Sequence, residues 1–291
     1  MRRLIPAGLA VLALFAIGIL AWYGIDEDPS FDATVQVTTE MSRGISRTLQ
    51  EHVVVTPAME RSVGEKIRDS LRPGLRSDPY VSRVGNDLAS QLAGSPYTWE
   101  FHVVPMAQPN AFAVPGGILF VTSGLLSTVK YEAELACVLG HEIMHVERGH
   151  LRDAMKSLVA ADRLGADPAA LLQEFLRTGY SQAQETEADR DGIELAAITG
   201  YAPLAANILF DRLSGPVGGG NDDLLRRAVE RYLASHPPAR ERKETVSQII
   251  RDKKAGWIGR RFYWGKENLR KRIPLSKLSR EGEWRTLEEA P

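Results

Sequence analysis

The stretch His141-Glu142-Ile143-Met144-His145 constrains this chain more than any other. It lies in an apolar run expected to be helical from Tyr131 to His150. Residues four apart on an α-helix leave the same face, one above the other, so the two imidazoles can share one Zn²⁺. Glu142 projects about 100° away around the axis. From there its carboxylate can reach a water on the metal without itself being a ligand. H-E-x-x-H on a helix is a metalloprotease signature. The plain alternative is a helix that happens to carry two His and a Glu.

At 291 residues the chain can form one large or two ordinary domains around a real core. Its formal net charge is −1, which argues against a strongly basic nucleic-acid-binding domain, so no nucleic-acid partner is expected. The single cysteine, Cys137, excludes an intramolecular disulfide. That suits a reducing compartment or an exported protein that does not rely on disulfides. Set among Leu135, Val138 and Leu139, Cys137 reads as a small core residue rather than a catalytic thiol.

The N-terminus opens with Arg2 and Arg3, and Leu4 to Ile25 then runs 22 residues without a charge. At about 1.5 Å per residue this reaches roughly 33 Å, enough to cross the hydrocarbon core. The apolar run is longer than that of a cleavable signal, the small-residue cleavage sites after it are poor, and Trp22 and Tyr23 suit a membrane interface. A retained anchor over 1–25 is therefore expected, with a cleaved signal as the alternative. Arg2 and Arg3 would stay cytoplasmic, placing the rest of the chain outside the bacterial inner membrane, on the periplasmic side. Residues 26–56 read as a linker.

Helical patterns follow from Pro57 (Met59, Val63, Ile67, Leu71) and from Asp78-Pro79 (Val81, Val84, Leu88, Leu92). Tyr97 to Val104 alternates as a strand. Ala111 to Thr122 is two apolar runs split by Pro115-Gly116-Gly117, a hairpin or a bent strand pair. Proline and glycine so near a strand imply an edge. An edge beside the helix could accept a substrate peptide as another strand, or could simply close a small sheet. Helices are then expected over 151–164, 168–176, Ser181–Thr199, Pro203–Leu213, Leu224–Leu233 and Ala239–Ile250. Gly215 to Gly220 reads as a flexible connection. The tail over 253–291 mixes Trp257, Phe262, Tyr263 and Trp264 with arginines and lysines. It either packs its aromatics on the domain with its charges in water, or meets a membrane surface.

Two imidazoles leave a zinc site one protein ligand short. His150 is nine residues after His141, which on a continuing helix places it on the opposite side, so it is rejected as a ligand. The better source is the Ser181–Thr199 helix, where Glu185 and Asp189 share a face while Glu187 and Asp191 point elsewhere. One of the pair could bind the metal and the other orient a ligating imidazole. Spacing leaves open which does which.

Four ordered motifs carry a resemblance. They are Asn110 to Gly117, Glu134 to Val146, Glu185-x-x-Ala188-Asp189, and His236-Pro237-Pro238 with Arg242. Together they resemble the M48 family of zinc metallopeptidases, above all its single-span or exported bacterial members. The resemblance implies an α+β fold, mainly helical with a small sheet: a zincin-like metalloprotease domain over 57–252, with its active-site helix beside a short edge-strand hairpin. It implies one Zn²⁺ held by His141, His145 and Glu185, Glu142 as general base, and Asp189 as partner to a ligating imidazole. It also implies that Asn110, Ala111 and Phe112 hold the backbone of a polypeptide substrate. For His236, and Arg242 with it, the choice stays open between a regulatory or transition-state role and the ordering of a turn. The activity implied is endopeptidase action on misfolded or unassembled envelope proteins. An assembly factor or chaperone using the same cleft is the alternative.

Overall fold

The computed structural model describes residues 55–151, 155–156, 180–213 and 239–291. The 1–25 segment, most of the linker, nearly all of the helices expected at 151–164 and 168–176, the Gly215–Gly220 loop, the Leu224–Leu233 helix and His236 lie outside the described residues. Among the described residues no helix is long and apolar enough to cross a membrane.

Helix α1 (Pro57–Leu71) starts where Thr56 caps the N–H of Met59, and it buries Val63, Ile67 and Leu71. Helix α2 (Pro79–Ala89) is capped by Asp78, whose carboxylate accepts from Tyr80 and Val81. It ends at Ser90, short of the expected stop at Gly94. The strand expected from Tyr97 is shorter as well. Strand β1 (Glu100–Val104) begins where the N–H of Glu100 first finds the carbonyl of Gly117.

The hairpin is present, as β2 (Ala111–Val114) and β3 (Ile118–Thr122), antiparallel and in register from Val114 opposite Ile118 to Ala111 opposite Val121. Gly116 and Gly117 turn the chain at φ +84° and +83°. A Cβ on Gly116 would fall 2.5 Å from the Cα of Arg61, so glycine also lets α1 approach the turn. β3 pairs in parallel with β1, giving the order β1-β3-β2 and leaving β2 on an edge.

A short helix α3 (Ser123–Thr128) leads to α4 (Glu132–Glu147), which carries the H-E-x-x-H residues. It is almost wholly buried, as a helix apolar on most faces must be. At its start Glu132 is fully buried and accepts hydrogen bonds from the hydroxyls of Tyr80 and Tyr201 and from the N–H of Leu275, each at 2.8 Å. One carboxylate thus ties α2, the end of the next helix and the C-terminal region to the N-terminus of α4. Burial pushes its carboxyl above the usual range, against those three donors.

Helix α5 (Gln182–Thr199) opens with a capping box between Ser181 and Gln184 and closes on Gly200 at φ +106°. It crosses α4 at backbone contact, where Gly140 faces Gly192. Helices α6 (Ala205–Leu213) and α7 (Ala239–Lys253) follow. In the tail, Trp257, Phe262, Tyr263 and Trp264 are buried. Strands β4 (Phe262–Tyr263) and β5 (Trp284–Arg285) pair, flanking a short helix α8 (Lys266–Lys271). The fold is mainly helical with small sheets, the expected zincin-like α+β class.

Candidate metal centre

His141 and His145 leave α4 on one face, their Nε2 atoms 2.9 Å apart. α5 brings in Glu185, with Oε2 3.6 Å from His141 Nε2 and Oε1 3.4 Å from His145 Nε2. All three residues are buried. Among the described residues they form the cluster able to hold a metal ion. A tetrahedral Zn²⁺ with ligands at about 2.0–2.1 Å sets its donors roughly 3.3–3.4 Å apart. The three observed separations bracket that value.

The donor chemistry agrees. His141 Nδ1 lies 2.9 Å from Asp189 Oδ1. An ionised carboxylate only accepts, so at this contact His141 donates from Nδ1 and its Nε2 is left a lone pair for the cluster. Arg242 Nη2 also lies against the ring, 3.0 Å from Nδ1 and 3.2 Å from Nε2. Burial opposes ionisation of Asp189, but the Arg242 guanidinium and then His141 outweigh it and hold the carboxyl at about 2. Arg242 reaches Asp189 at 2.5 Å and 3.2 Å and stacks its guanidinium over Phe210, 5.0 Å from the ring centre.

Glu142 is not part of that cluster, and its Oε2 accepts the backbone N–H of Ala113 at 3.0 Å. Burial pushes its carboxyl up to about 7, with the Glu185 charge acting the same way and His141 and Arg242 acting against. The Ala113 contact orients β2. The carbonyl of Asn110 accepts from Thr122 on β3, so with a period of two Phe112 and Val114 also face β3. Ala111 and the carbonyl of Ala113 carry the edge that no described strand pairs. Phe112 is buried, with its ring stacked on Phe120 at 5.0 Å. Asn110 lines the cavity in front of Glu142, a space of about 110 Å³ walled by Val138, Leu209 and Phe210. Its Nδ2 has no hydrogen-bond partner among the described residues. Cys137 also lines that cavity, but burial pushes its thiol up to about 12, which suits a packing role.

The structure therefore brings together His141, Glu142, His145, Glu185, Asp189, Asn110 and Arg242. Three contributions escape a reading by spacing. The Ala113 N–H belongs to backbone, which leaves no mark on residue type. Tyr180 stacks on His145 with ring centres 3.7 Å apart. His150, rejected as a ligand, contacts His145 from the side opposite the cluster, and Glu187 backs it.

Residues 75–250 match the family model described as peptidase family M48. Mitochondrial metalloendopeptidase OMA1 of Schizosaccharomyces pombe is 30% identical over 198 residues, 64% of this chain and 56% of that protein. The beta-barrel assembly-enhancing protease of Yersinia pestis is 31% identical over 156 residues, 46% of this chain and 32% of that one. Metalloprotease LoiP of Escherichia coli is 27% identical over 188 residues, 60% of this chain and 69% of that one. The chain spans about half the length of the first of these relatives. The family match takes in both histidines of α4, Glu142, Glu185, Asp189 and Arg242, and the chain belongs to peptidase family M48.

Proposed function

We propose that this chain is a zinc-dependent endopeptidase acting on misfolded or unassembled envelope polypeptides. The observation that carries the reading is the meeting of His141 Nε2, His145 Nε2 and the Glu185 carboxylate beside a Glu142 that is held by an edge strand. When bound, Zn²⁺ would supply Lewis acidity and lower the pKa of a water toward about 7. Glu142 Oε2 takes the proton of the attacking water and passes it to the leaving amide nitrogen. The backbone of Ala111 and the carbonyl of Ala113 align a peptide as an added strand, with Asn110 at its end. The apolar cavity between Val138, Leu209 and Phe210 takes a side chain next to the cleaved bond. The uncharged Leu4–Ile25 run after Arg2 and Arg3 supports an anchored location on the periplasmic side of the inner membrane. The name of the Y. pestis relative supports envelope proteins as the targets.

The test is Glu142→Gln. It should retain Zn²⁺ yet lose cleavage of casein by at least 10²-fold, on the order expected for a removed general base. Casein cleavage at the wild-type rate ends the assignment. Cells that remain functional with Glu142→Gln would instead point to assembly through the same cleft.

A further inference from the structure

We propose that His150 and Glu187 form a relay that sets His145 as a metal ligand, which makes His150 a positioning residue. The proposal rests on the reading of His141, His145 and Glu185 as the metal site.

His150 is delivered by a break in the helix. α4 ends at Glu147, Arg148 closes its last turn onto Met144, and Gly149 takes φ +68°. The N–H of His150 then returns to the carbonyl of His145 at 3.0 Å. A continued helix would carry His150 to the far side. The left-handed glycine folds it back beside His145 instead, with its side chain 5% exposed. The two Nδ1 atoms are 3.0 Å apart, and the rings meet edge to face at 5.0 Å. On the other side of His150, Nε2 lies 3.1 Å from Glu187 Oε2.

Proton logic runs inward from the carboxylate. Glu187 only accepts, so His150 Nε2 donates to it. The neutral imidazole then accepts at Nδ1. The atom opposite, His145 Nδ1, must carry a hydrogen, and His145 Nε2 is left with a lone pair facing His141 and Glu185. Asp189 does the same for His141 in one step. Tyr180, stacked on the face of His145 at 3.7 Å, holds the ring plane in which this alignment works. Each ligating imidazole thus has its metal-binding nitrogen chosen by a carboxylate from α5, one directly and one through His150.

The experiment is chelator competition for Zn²⁺ on the full chain, with circular dichroism to check the fold. His150→Ala should weaken Zn²⁺ binding about 10- to 100-fold. His150→Asn offers an amide oxygen where Nδ1 stood and should recover most of that loss. Glu187→Ala, at a position whose side chain is 41% exposed, should fold normally and weaken binding at least threefold. Should His150→Ala fail to fold, His150→Asn and Glu187→Ala still decide the matter. Long-range ¹⁵N–¹H correlation of the Zn²⁺-loaded wild type should place hydrogens on His145 Nδ1 and His150 Nε2. Tight wild-type binding with His150→Ala and Glu187→Ala both within twofold of it, or a hydrogen on His150 Nδ1, overturns the relay alone. A wild-type chain that does not bind Zn²⁺ overturns the metal reading and the relay with it.

Discussion

Replacing Gly192 by alanine should open the metal centre without touching any of its ligands. Gly192 lies on α5 seven residues after Glu185, two turns along the same face. It meets α4 beside His141. A Cβ there would sit 2.6 Å from His141 N and 2.8 Å from the carbonyl carbon of Gly140. Ordinary contact begins near 3.4 Å, so the helices must separate locally by about 0.8 Å, and the obstructing atoms are backbone that cannot rotate aside. Two opposed effects act on stability. Alanine in a helix interior gains about 1 kcal/mol over glycine, while overpacking costs about 1–3 kcal/mol. The net is a loss of about 0–2 kcal/mol, a few degrees in Tm. Metal binding has no such compensation, because ligand distances tolerate only about 0.2 Å. Moving Glu185 away from His141 and His145 by several times that margin should cost at least about tenfold in Zn²⁺ affinity, the size of effect seen when ligand support is lost. Chelator competition and thermal melting with and without Zn²⁺ measure both terms. A Gly192→Ala protein that binds Zn²⁺ as the wild type does, and melts higher by the helix-propensity gain, would refute the claim that this crossing sets the site.

Other perturbations separate what holds the scaffold from what serves the chemistry. Glu134 is fully buried on α4 and paired to both terminal nitrogens of Arg212; Arg212→Ala should cost about 3 kcal/mol in denaturant unfolding by stranding that charge, and the double change with Glu134→Leu should restore a good part of it. For Glu100, burial raises the carboxyl, but hydrogen bonds from His102, Arg68 and Arg61 outweigh it and bring it to about 2. A depressed folded value stabilises above the unfolded value of 4.5 and is lost as pH falls toward 2. Discounted for a carboxylate about a quarter exposed, the gain is about 1 kcal/mol, so the stability gap between wild type and Glu100→Gln should be full at pH 6, shrink below pH 4.5 and close only below pH 2.

What could be read from residue order, and what could not, follows from where each interaction lives. Helix α4, the hairpin and the pairing of Glu185 with Asp189 are periodic facts about single elements, and periodicity is written along the chain. The capping box at Ser181 and the stop at Gly200 likewise set the ends of α5 by local chemistry. The third candidate ligand was narrower: spacing offered two carboxylates, the family resemblance implied Glu185 on the metal and Asp189 behind an imidazole, and the crossing of α5 over α4 brings Glu185 to the cluster and Asp189 to His141 Nδ1. His150 shows the limit most clearly. Extrapolating 100° per residue past Glu147 put it on the wrong side, because one left-handed residue, Gly149, resets the direction of the chain. The two glycines at the helix crossing are weak signals taken singly, since a lone helical glycine has many causes. Glu132 has no local cue at all, its partners being Tyr80, Tyr201 and Leu275. The C-terminal region therefore contributes to the start of the active-site helix through a buried carboxylate. It does so through the backbone N–H of Leu275, while the tail aromatics Trp257, Phe262, Tyr263 and Trp264, read in sequence as packing on the domain or meeting a membrane surface, are buried.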